Sequence, residues 1–509
     1  MPLKSLRPGC TYIERKMSVV TDSPVRSSHS SSSDDFATFL DGELDSWSDS
    51  SSKAKNVAEN EDDDKEVESD SWGDDNDDDS DSWGDDNDDD SDSWGDDNDD
   101  DTLANRIKRA RVEISETVQD NLEASTSHIH IQQNSVASTS KVACTHPGTF
   151  GDMCICCGER LAAETGVTLG YIHKGLRLGN DEIVRLRNTD TKNLLRNRKL
   201  YLVLDLDHTL LNSTQLIHLT PEEDYLKSQI DSVQDGLNGS LFKLDFMHMM
   251  TKLRPFVHEF LKEASQMFQM YIYTMGDRAY AQEMAKLLDP GKKYFHDRVI
   301  SRDDGTQRHQ KGLDIVLGQD SAVLILDDTE NAWTKHKENL ILMERYHFFA
   351  SSCRQFGFEC KSLSQIKSDE SVSDGALASI LKVLRKIHQM FFDELADNLD
   401  GRDVREVLGM VRKDVLKGCK IVFSRVFPTQ FQAENHHLWK MAEQLGATCC
   451  REPGPSVTHV VSAEAGTEKS HWARKNDKFL VHPRWIEAAN YIWQRQPEDN
   501  FSVNQPNKQ

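Results

Sequence analysis

The distribution of apolar and polar positions divides the chain into unlike parts. Up to residue 143 large apolar side chains are sparse and follow no period, so this part is expected to stay disordered. From about residue 195 short apolar runs alternate with amphipathic segments, the pattern of an α/β domain built on a parallel sheet. Three runs read as buried strands: Leu200 to Leu204, Met270 to Tyr273 and Ala322 to Leu326. Further on, Leu377, Ile380, Leu381, Leu384, Ile387 and His388, then Val404, Val407, Leu408, Val411 and Val415, recur at three- and four-residue steps. Those spacings predict two helices separated at Asp400-Gly401, each with one apolar face against a core. Beyond Leu416 the pattern predicts a strand at Cys419 to Ser424, a helix at His436 to Leu445 stopped by Gly446, and a strand at Thr458 to Val461. The expected division is a disordered tail over 1–143, a Cys/His-rich segment over 144–158, an α/β domain over 195–365, a helical linker over 376–414 and a smaller α/β domain over 415–509.

Charge sharpens the first boundary. The formal net charge is −26, and between Glu61 and Asp101 there are 24 Asp or Glu against a single Lys, so nearly all the acidity belongs to one tract. Within it the unit Ser-Asp-Ser-Trp-Gly-Asp-Asp-Asn-Asp-Asp-Asp occurs three times and spaces Trp72, Trp83 and Trp94 evenly. Dense like charge holds such a segment open, as a solvating tail or as a docking segment anchored by its Trp side chains. Ser71, Ser82 and Ser93 each have Asp three residues later, a pattern that acidophilic kinases accept. The basic run Arg106 to Arg111 reads as a nuclear import signal or as charge compensation. Without a basic face or stacking motif, nucleic-acid binding has little support. No apolar run approaches the roughly 18 residues that cross a membrane, so no membrane partner is expected. The unevenly placed cysteines, with no secretory signal pattern, point to a reducing compartment.

Cys144-Thr145-His146 and Cys154-Ile155-Cys156-Cys157 bring C-x-H and C-x-x-C spacing within fourteen residues. Cys144, His146, Cys154 and Cys157 are candidate ligands of a structural Zn²⁺, with Cys156 to spare; structural free cysteines are the alternative.

The strand Leu200 to Leu204 runs into Asp205-Leu206-Asp207. Two carboxylates at the end of a buried strand are costly unless a cation or a reaction needs both. The other two predicted strands also end in polar groups, Thr274 and Asp327-Asp328, and ligands of such sheets bind beyond the carboxyl ends of the strands. Together the groups suit phosphoryl transfer. A carboxylate attacks phosphorus only beside a divalent cation, and oxygen ligation by Asp205, Asp328 and the Asp207 carbonyl suits Mg²⁺. Asp205 is the candidate nucleophile and Asp207 the candidate general acid and base. Thr274 and Lys311 would donate to the phosphoryl oxygens, with Asp327 supporting the lysine. Arg254 is a candidate substrate-phosphate or positioning contact, and Thr209 a candidate substrate contact.

The stretches Leu204 to Leu211, Tyr271 to Gly276, Lys311 and Val323 to Asp328 resemble the four motifs of the haloacid dehalogenase superfamily. More narrowly, His208-Thr209-Leu210-Leu211 and Leu253-Arg254-Pro255-Phe256 resemble the TFIIF-associating phosphatases of the RNA polymerase II carboxy-terminal domain, in their plant phosphatase-like group. That resemblance implies a Rossmannoid catalytic domain and a Mg²⁺-dependent phosphoserine phosphatase of the nucleus, acting on the polymerase tail through an aspartyl phosphate. TFIIF or other transcription factors are the implied partners. Residues 213 to 250 form an insertion with no match, and no stretch between Thr209 and Thr274 is long enough for a large α/β cap. An open site suits a protein tail better than a small metabolite. The carboxy-terminal pattern, with Trp485 late in it, looks like a BRCT domain. In that family Ser424 and Thr467-Glu468-Lys469 would stand at a phosphoserine site, although Arg425 replaces the usual Gly. Plain protein docking is the other reading of this module. The alternatives to a protein phosphatase are a small-molecule phosphatase of the same superfamily and a non-catalytic BRCT scaffold.

Overall fold

In the computed structural model the described residues are 144–161, 166–230, 239–394, 401–428 and 431–503. The expected tail over 1–143, with its Trp repeats and basic run, lies outside them.

Four short strands come first: β1 (Gly148–Phe150), β2 (Met153–Cys154), β3 (Val167–Thr168) and β4 (Leu176–Leu178). They form one antiparallel sheet ordered β2-β1-β4-β3. The Cys/His-rich segment is therefore part of a larger unit that runs on through Leu178, beyond the expected end at 158. Helix α1 (Asn180–Arg196) then leads into β5 (Leu200–Leu204), the strand with the two carboxylates at its end.

After β5 the chain makes β6 (Leu211–Gln215), β7 (Leu241–Leu244) and β8 (Met249–Leu253), a small antiparallel sheet ordered β6-β8-β7. This is the unmatched insertion, and its apolar face is welded to the domain. Leu226, Leu241 and Met250 pack with Tyr346, Phe348, Phe349 and Leu363. The buried Glu223 carboxylate accepts hydrogen bonds from the Thr220 and Ala350 amides and from the Ser364 hydroxyl. Among its described residues the insertion holds no α-helix, which agrees with the absence of a large cap.

Helix α2 (Val257–Met267) leads to β9 (Phe268–Tyr273), α3 (Arg278–Leu288) and β10 (Val299–Ile300), and the chain then adds β11 (Val323–Asp327) and β12 (Leu340–Leu342). The resulting five-stranded sheet is parallel throughout and ordered β10-β9-β5-β11-β12. Every residue of β5 is buried, as its unbroken apolar run requires when both sheet faces are covered. Strand β9 begins two residues before its predicted start because Phe268 pairs with Leu200. Strand β11 begins one residue later than predicted and ends one later, since Ala322 closes a turn and Asp327 stays in register with Leu342.

After the short α4 (Ala350–Gln355), the predicted helices appear as α5 (Ala376–Gln389) and α6 (Val404–Asp414). Each lays its apolar face on the domain, as the three- and four-residue spacing requires. Helix α5 packs on α2, and α6 packs on α5 and on residues Lys337–Asn339. The last unit comprises β13 (Lys420–Ser424), α7 (His437–Gln444), β14 (Thr448–Cys450), β15 (His459–Ser462), α8 (Glu468–Lys475), β16 (Phe479–Val481) and α9 (Arg484–Ile492). Its parallel sheet is ordered β14-β13-β15-β16, and its core holds Ile421, Phe423, Trp439 and Trp485. Helix α9 also meets α5, and Arg412 donates to Asn490 Oδ1 at 3.1 Å.

Candidate active site

Three adjacent strands of the central sheet deliver their carboxyl ends to one place. Asp205 continues β5, its amide donating to the Leu326 carbonyl on β11 at 3.0 Å. Lys311 arrives from the loop before β11, held by its amide to the Ala332 carbonyl at 2.9 Å. Its Nζ bridges Asp205 Oδ1 at 2.6 Å and Asp327 Oδ2 at 2.7 Å, with all three groups buried. Burial alone would push the Lys311 ammonium down, but the two carboxylates outweigh it and hold it firmly charged. Burial also raises Asp205 well above the usual carboxylate range; Lys311 opposes the shift while Asp327, Asp328 and Asp207 add to it.

Asp327 is spent on support. Its Oδ2 also accepts from Trp333 Nε1 at 2.8 Å and its Oδ1 from the Thr329 amide at 2.8 Å. Trp333 is fully buried and stands edge-on to Tyr273 at 5.4 Å, so Lys311 passes between two aromatic rings. Asp328 is freer: Thr329 Oγ1 donates to it at 3.1 Å, and Arg345 Nε pairs with it.

Asp207 has a separate environment. Tyr280 OH donates to its Oδ1 at 2.5 Å, while Thr274 Oγ1 lies 3.4 Å from its Oδ2. Burial raises this carboxyl, and the Tyr280 hydrogen bond opposes the rise. Tyr280 is fixed in turn by Ser213 Oγ at 2.9 Å and by helix capping, since Asp277 Oδ1 accepts from the Tyr280 amide at 2.8 Å. Gly276 makes room for it: a Cβ at that position would come within 2.5 Å of the Tyr280 ring. The turn after Asp207 needs a left-handed residue, and His208 supplies it at φ 64°.

Donor atoms of Asp205, Asp327 and Asp328 lie within 4.8 Å of one another. Four carboxylates, Asp205, Asp207, Asp327 and Asp328, face one ammonium and one guanidinium, so ionised they carry a surplus of negative charge. An all-oxygen donor set with such a surplus fits a divalent cation. With Asp327 committed to Lys311 and Trp333, and the Asp207 carboxylate turned toward Tyr280, Asp205 and Asp328 are the side chains left for it.

Two candidates sit differently from a substrate contact. Arg254 is completely enclosed and all its donors are used: Nε and Nη2 pair with Glu370 at 2.9 and 2.7 Å, Nη1 binds the His208 and Thr209 carbonyls, and Nη2 the Glu344 carbonyl. It has no donor left for a substrate phosphate, so of its two readings the positioning one matches the geometry. Its partner Glu370 also carries this domain beyond the expected boundary at 365. Thr209 is buried with its hydroxyl 3.5 Å from Asp328 Oδ1, so it faces the acidic cluster and not an open cleft.

Sequence reasoning missed Tyr280, Arg345, Trp333 and Glu370. Only Tyr280 had a signal, the capping residue Asp277 placed just after Thr274. The others meet the site through folds of the chain that no local spacing records.

In the carboxy-terminal unit, Ser424 Oγ donates to Thr467 Oγ1 at 2.8 Å, and Thr467 is shared with Ser470 Oγ at 2.6 Å. Lys469 Nζ is turned to the Arg451 carbonyl at 2.5 Å and lies 3.6 Å from Glu452. Arg425 takes the left-handed conformation at φ 50° that a Gly would favour, and its guanidinium pairs with Glu464 at 2.8 Å. Thus the two hydroxyls meet, but the lysine engages other groups. Donor atoms of Cys144, His146, Cys154 and Cys157 all lie within 4.8 Å of one another, apart from Cys156.

Fold and site together define a haloacid dehalogenase-like, aspartate-based phosphatase joined to a BRCT domain. The family model of the NLI interacting factor-like phosphatases matches residues 200–390, and that of the BRCA1 C Terminus (BRCT) domain matches 411–489. The chain is 57% identical to RNA polymerase II C-terminal domain phosphatase-like 4 of Arabidopsis thaliana, over 97% of this chain and 99% of that one. It is 30% identical to an RNA polymerase II C-terminal domain phosphatase of Caenorhabditis elegans, over 71% of this chain and 56% of that one. A solved structure of the fission yeast RNA polymerase II CTD phosphatase Fcp1, a variant bound to beryllium fluoride, covers 63% of this chain and 100% of its own, with a TM-score of 0.50 and 26% identity. The chain belongs to the family of RNA polymerase II C-terminal domain phosphatases.

Proposed function

We infer that this chain removes phosphate from phosphoserine in the carboxy-terminal repeats of RNA polymerase II, with Asp205 as nucleophile. The observation that carries this reading is the Lys311 ammonium bridging Asp205 and Asp327 while Asp207 is held apart by Tyr280. The two strand-end carboxylates thereby have unlike environments, which suits them to unlike tasks.

Lys311 aims one oxygen of Asp205 and opposes the rise that burial and the neighbouring carboxylates impose on it. That carboxylate attacks phosphorus, the bond to the serine oxygen breaks, and the phosphoryl group passes to Asp205. Asp207 gives its proton to the departing serine oxygen, then takes one from the water that attacks the phosphorus of the aspartyl phosphate. Thr274 and Lys311 donate to the phosphoryl oxygens. Asp205, Asp328 and the Asp207 carbonyl would hold Mg²⁺, which when bound neutralises the charge between the carboxylate and the phosphate. Arg254 acts at one remove, holding the 208–209 turn through its carbonyls.

The BRCT unit is read as a protein-docking module. A phosphopeptide there would require Lys469 to leave Arg451 and Glu452; equal binding of phosphorylated and unphosphorylated peptides would exclude that use. TFIIF or another transcription factor is proposed as a partner, and the nucleus as the place of action. The test of the activity is hydrolysis of phosphoserine heptad peptides with Mg²⁺ by the intact chain and by Asp205→Asn. Phosphate release by the intact chain alone supports the reading; no release by either removes the function, and equal release by both removes Asp205 as the nucleophile.

A further inference from the structure

We propose that Cys144, His146, Cys154 and Cys157 bind a structural zinc ion, and that this ion fixes the amino-terminal sheet against the backbone that follows Lys311. Cys144 Sγ and Cys154 Sγ are 3.8 Å apart, and Cys157 Sγ is 3.5 Å from His146 Nδ1. Tetrahedral zinc with bonds of about 2.3 Å to sulfur and about 2.0 Å to nitrogen separates two sulfurs by about 3.8 Å and a sulfur from a nitrogen by about 3.5 Å. The match extends to the surroundings. The Cys156 amide points at Cys154 Sγ at 3.4 Å and the His146 amide at Cys144 Sγ at 3.4 Å, so these two of the three sulfurs receive a backbone donor suited to a thiolate. Left-handed His146 and Gly158 let the chain turn at each half-site, at φ 48° and 72°. His146 directs Nδ1 inward while its Nε2 lies 3.6 Å from Glu159 Oε2, the carboxylate–imidazole pairing that orients a metal-bound histidine.

The small sheet also needs such a staple. Its strands are two or three residues long, and its buried apolar side chains are few: Cys154, Leu169, Tyr171, Leu176 and Leu178. A unit with so little core is usually held by a metal or by disulfides, and these cysteines are unbridged.

What the ion would hold in place is close to the chemistry. From the same unit, Tyr171 OH donates to the Ile315 carbonyl at 2.8 Å, and on α1 Arg187 donates to the carbonyls of Leu313, Asp314 and Val316 at 2.7, 2.7 and 3.0 Å. These are the residues directly after Lys311 and Gly312. The ion takes no part in phosphoryl transfer; it braces the loop that presents Lys311.

The test is elemental analysis of the intact chain purified without chelator, paired with hydrogen exchange. About one equivalent of zinc is expected, kept in Cys156→Ser and Asp205→Asn and lost in Cys157→Ser. Because Cys157→Ser can misfold, the intact chain is also reconstituted with Co²⁺, which should give the thiolate charge-transfer and tetrahedral d–d bands. Stripping the zinc should speed exchange at the Leu313 to Val316 amides. A chain that holds no zinc and gives no thiolate–cobalt band, or Cys157→Ser with its zinc intact, would overturn the site. Unchanged exchange at 313–316 after zinc removal would overturn the brace. Since the readouts are metal content, spectrum and exchange, they stand or fall separately from the phosphatase reading.

Discussion

Tyr280 OH reaches Asp207 Oδ1 at 2.5 Å, and this bond separates the two carboxylates at the end of β5. Asp205 is bound to an ammonium and Asp207 to a phenol, so one carboxylate has a charged partner and the other a neutral one. Tyr280→Phe keeps the ring and removes the bond. A hydrogen bond to a charged group contributes about 1.5–3 kcal/mol, so kcat should fall roughly ten- to hundred-fold with little change in KM. Steady-state kinetics on a phosphoserine peptide checks this. Gly276→Ala should mimic it by pushing the same ring aside.

Lys311→Met should cost both activity and stability. It leaves Asp205 and Asp327 buried without their cation, and breaking a buried pair costs about 3–5 kcal/mol. Chemical denaturation of the variant without added metal gives the stability loss directly. Activity should fall by about two orders of magnitude or more.

Arg254→Met should lose a comparable 3–5 kcal/mol, because Glu370 is left without its partner and the His208, Thr209 and Glu344 carbonyls without their donor. The double variant Arg254→Met, Glu370→Gln should recover part of that loss, as measured by a double-mutant cycle in urea. If Arg254 bound substrate, KM would rise while stability stayed unchanged.

A divalent cation should raise the melting temperature of the chain, since it binds only where Asp205 and Asp328 are brought together in the native state. Calorimetry with and without Mg²⁺ tests this. The rise should vanish in Asp328→Asn.

His482 makes the BRCT unit acid-sensitive. Burial first, and then nearby Arg484, lower its pKa from 6.5 to about 4. The unfolded chain therefore takes up a proton below pH 6.5 that the folded chain refuses, and stability should fall from there down to about pH 4. His482→Gln should flatten that part of the curve in urea titrations.

Much of this architecture was legible in the sequence, for a physical reason. A parallel strand buried on both faces must be an apolar run, and a polar group ending it must face the ligand side, so Asp205, Thr274 and Asp328 could be placed from spacing alone. In the last unit β13, β15 and α7 followed from the same periods, whereas the short β14 and β16 did not. What could not be read were contacts between segments distant in sequence. Glu370 answers Arg254 from 116 residues away, and Arg345 reaches Asp328 from a loop with no periodic pattern. The insertion over 213–250 has too little alternation to announce a sheet. The small amino-terminal sheet was missed altogether, because its strands are shorter than any period can reveal.

The most direct test of the account is to quench the intact chain with borohydride during turnover of a phosphoserine heptad peptide. An acyl phosphate is reduced to an alcohol, so homoserine should be found at position 205, and only when substrate and Mg²⁺ are both present. Homoserine at position 207, or steady turnover with none at position 205, would contradict the assignment of Asp205 as the nucleophile.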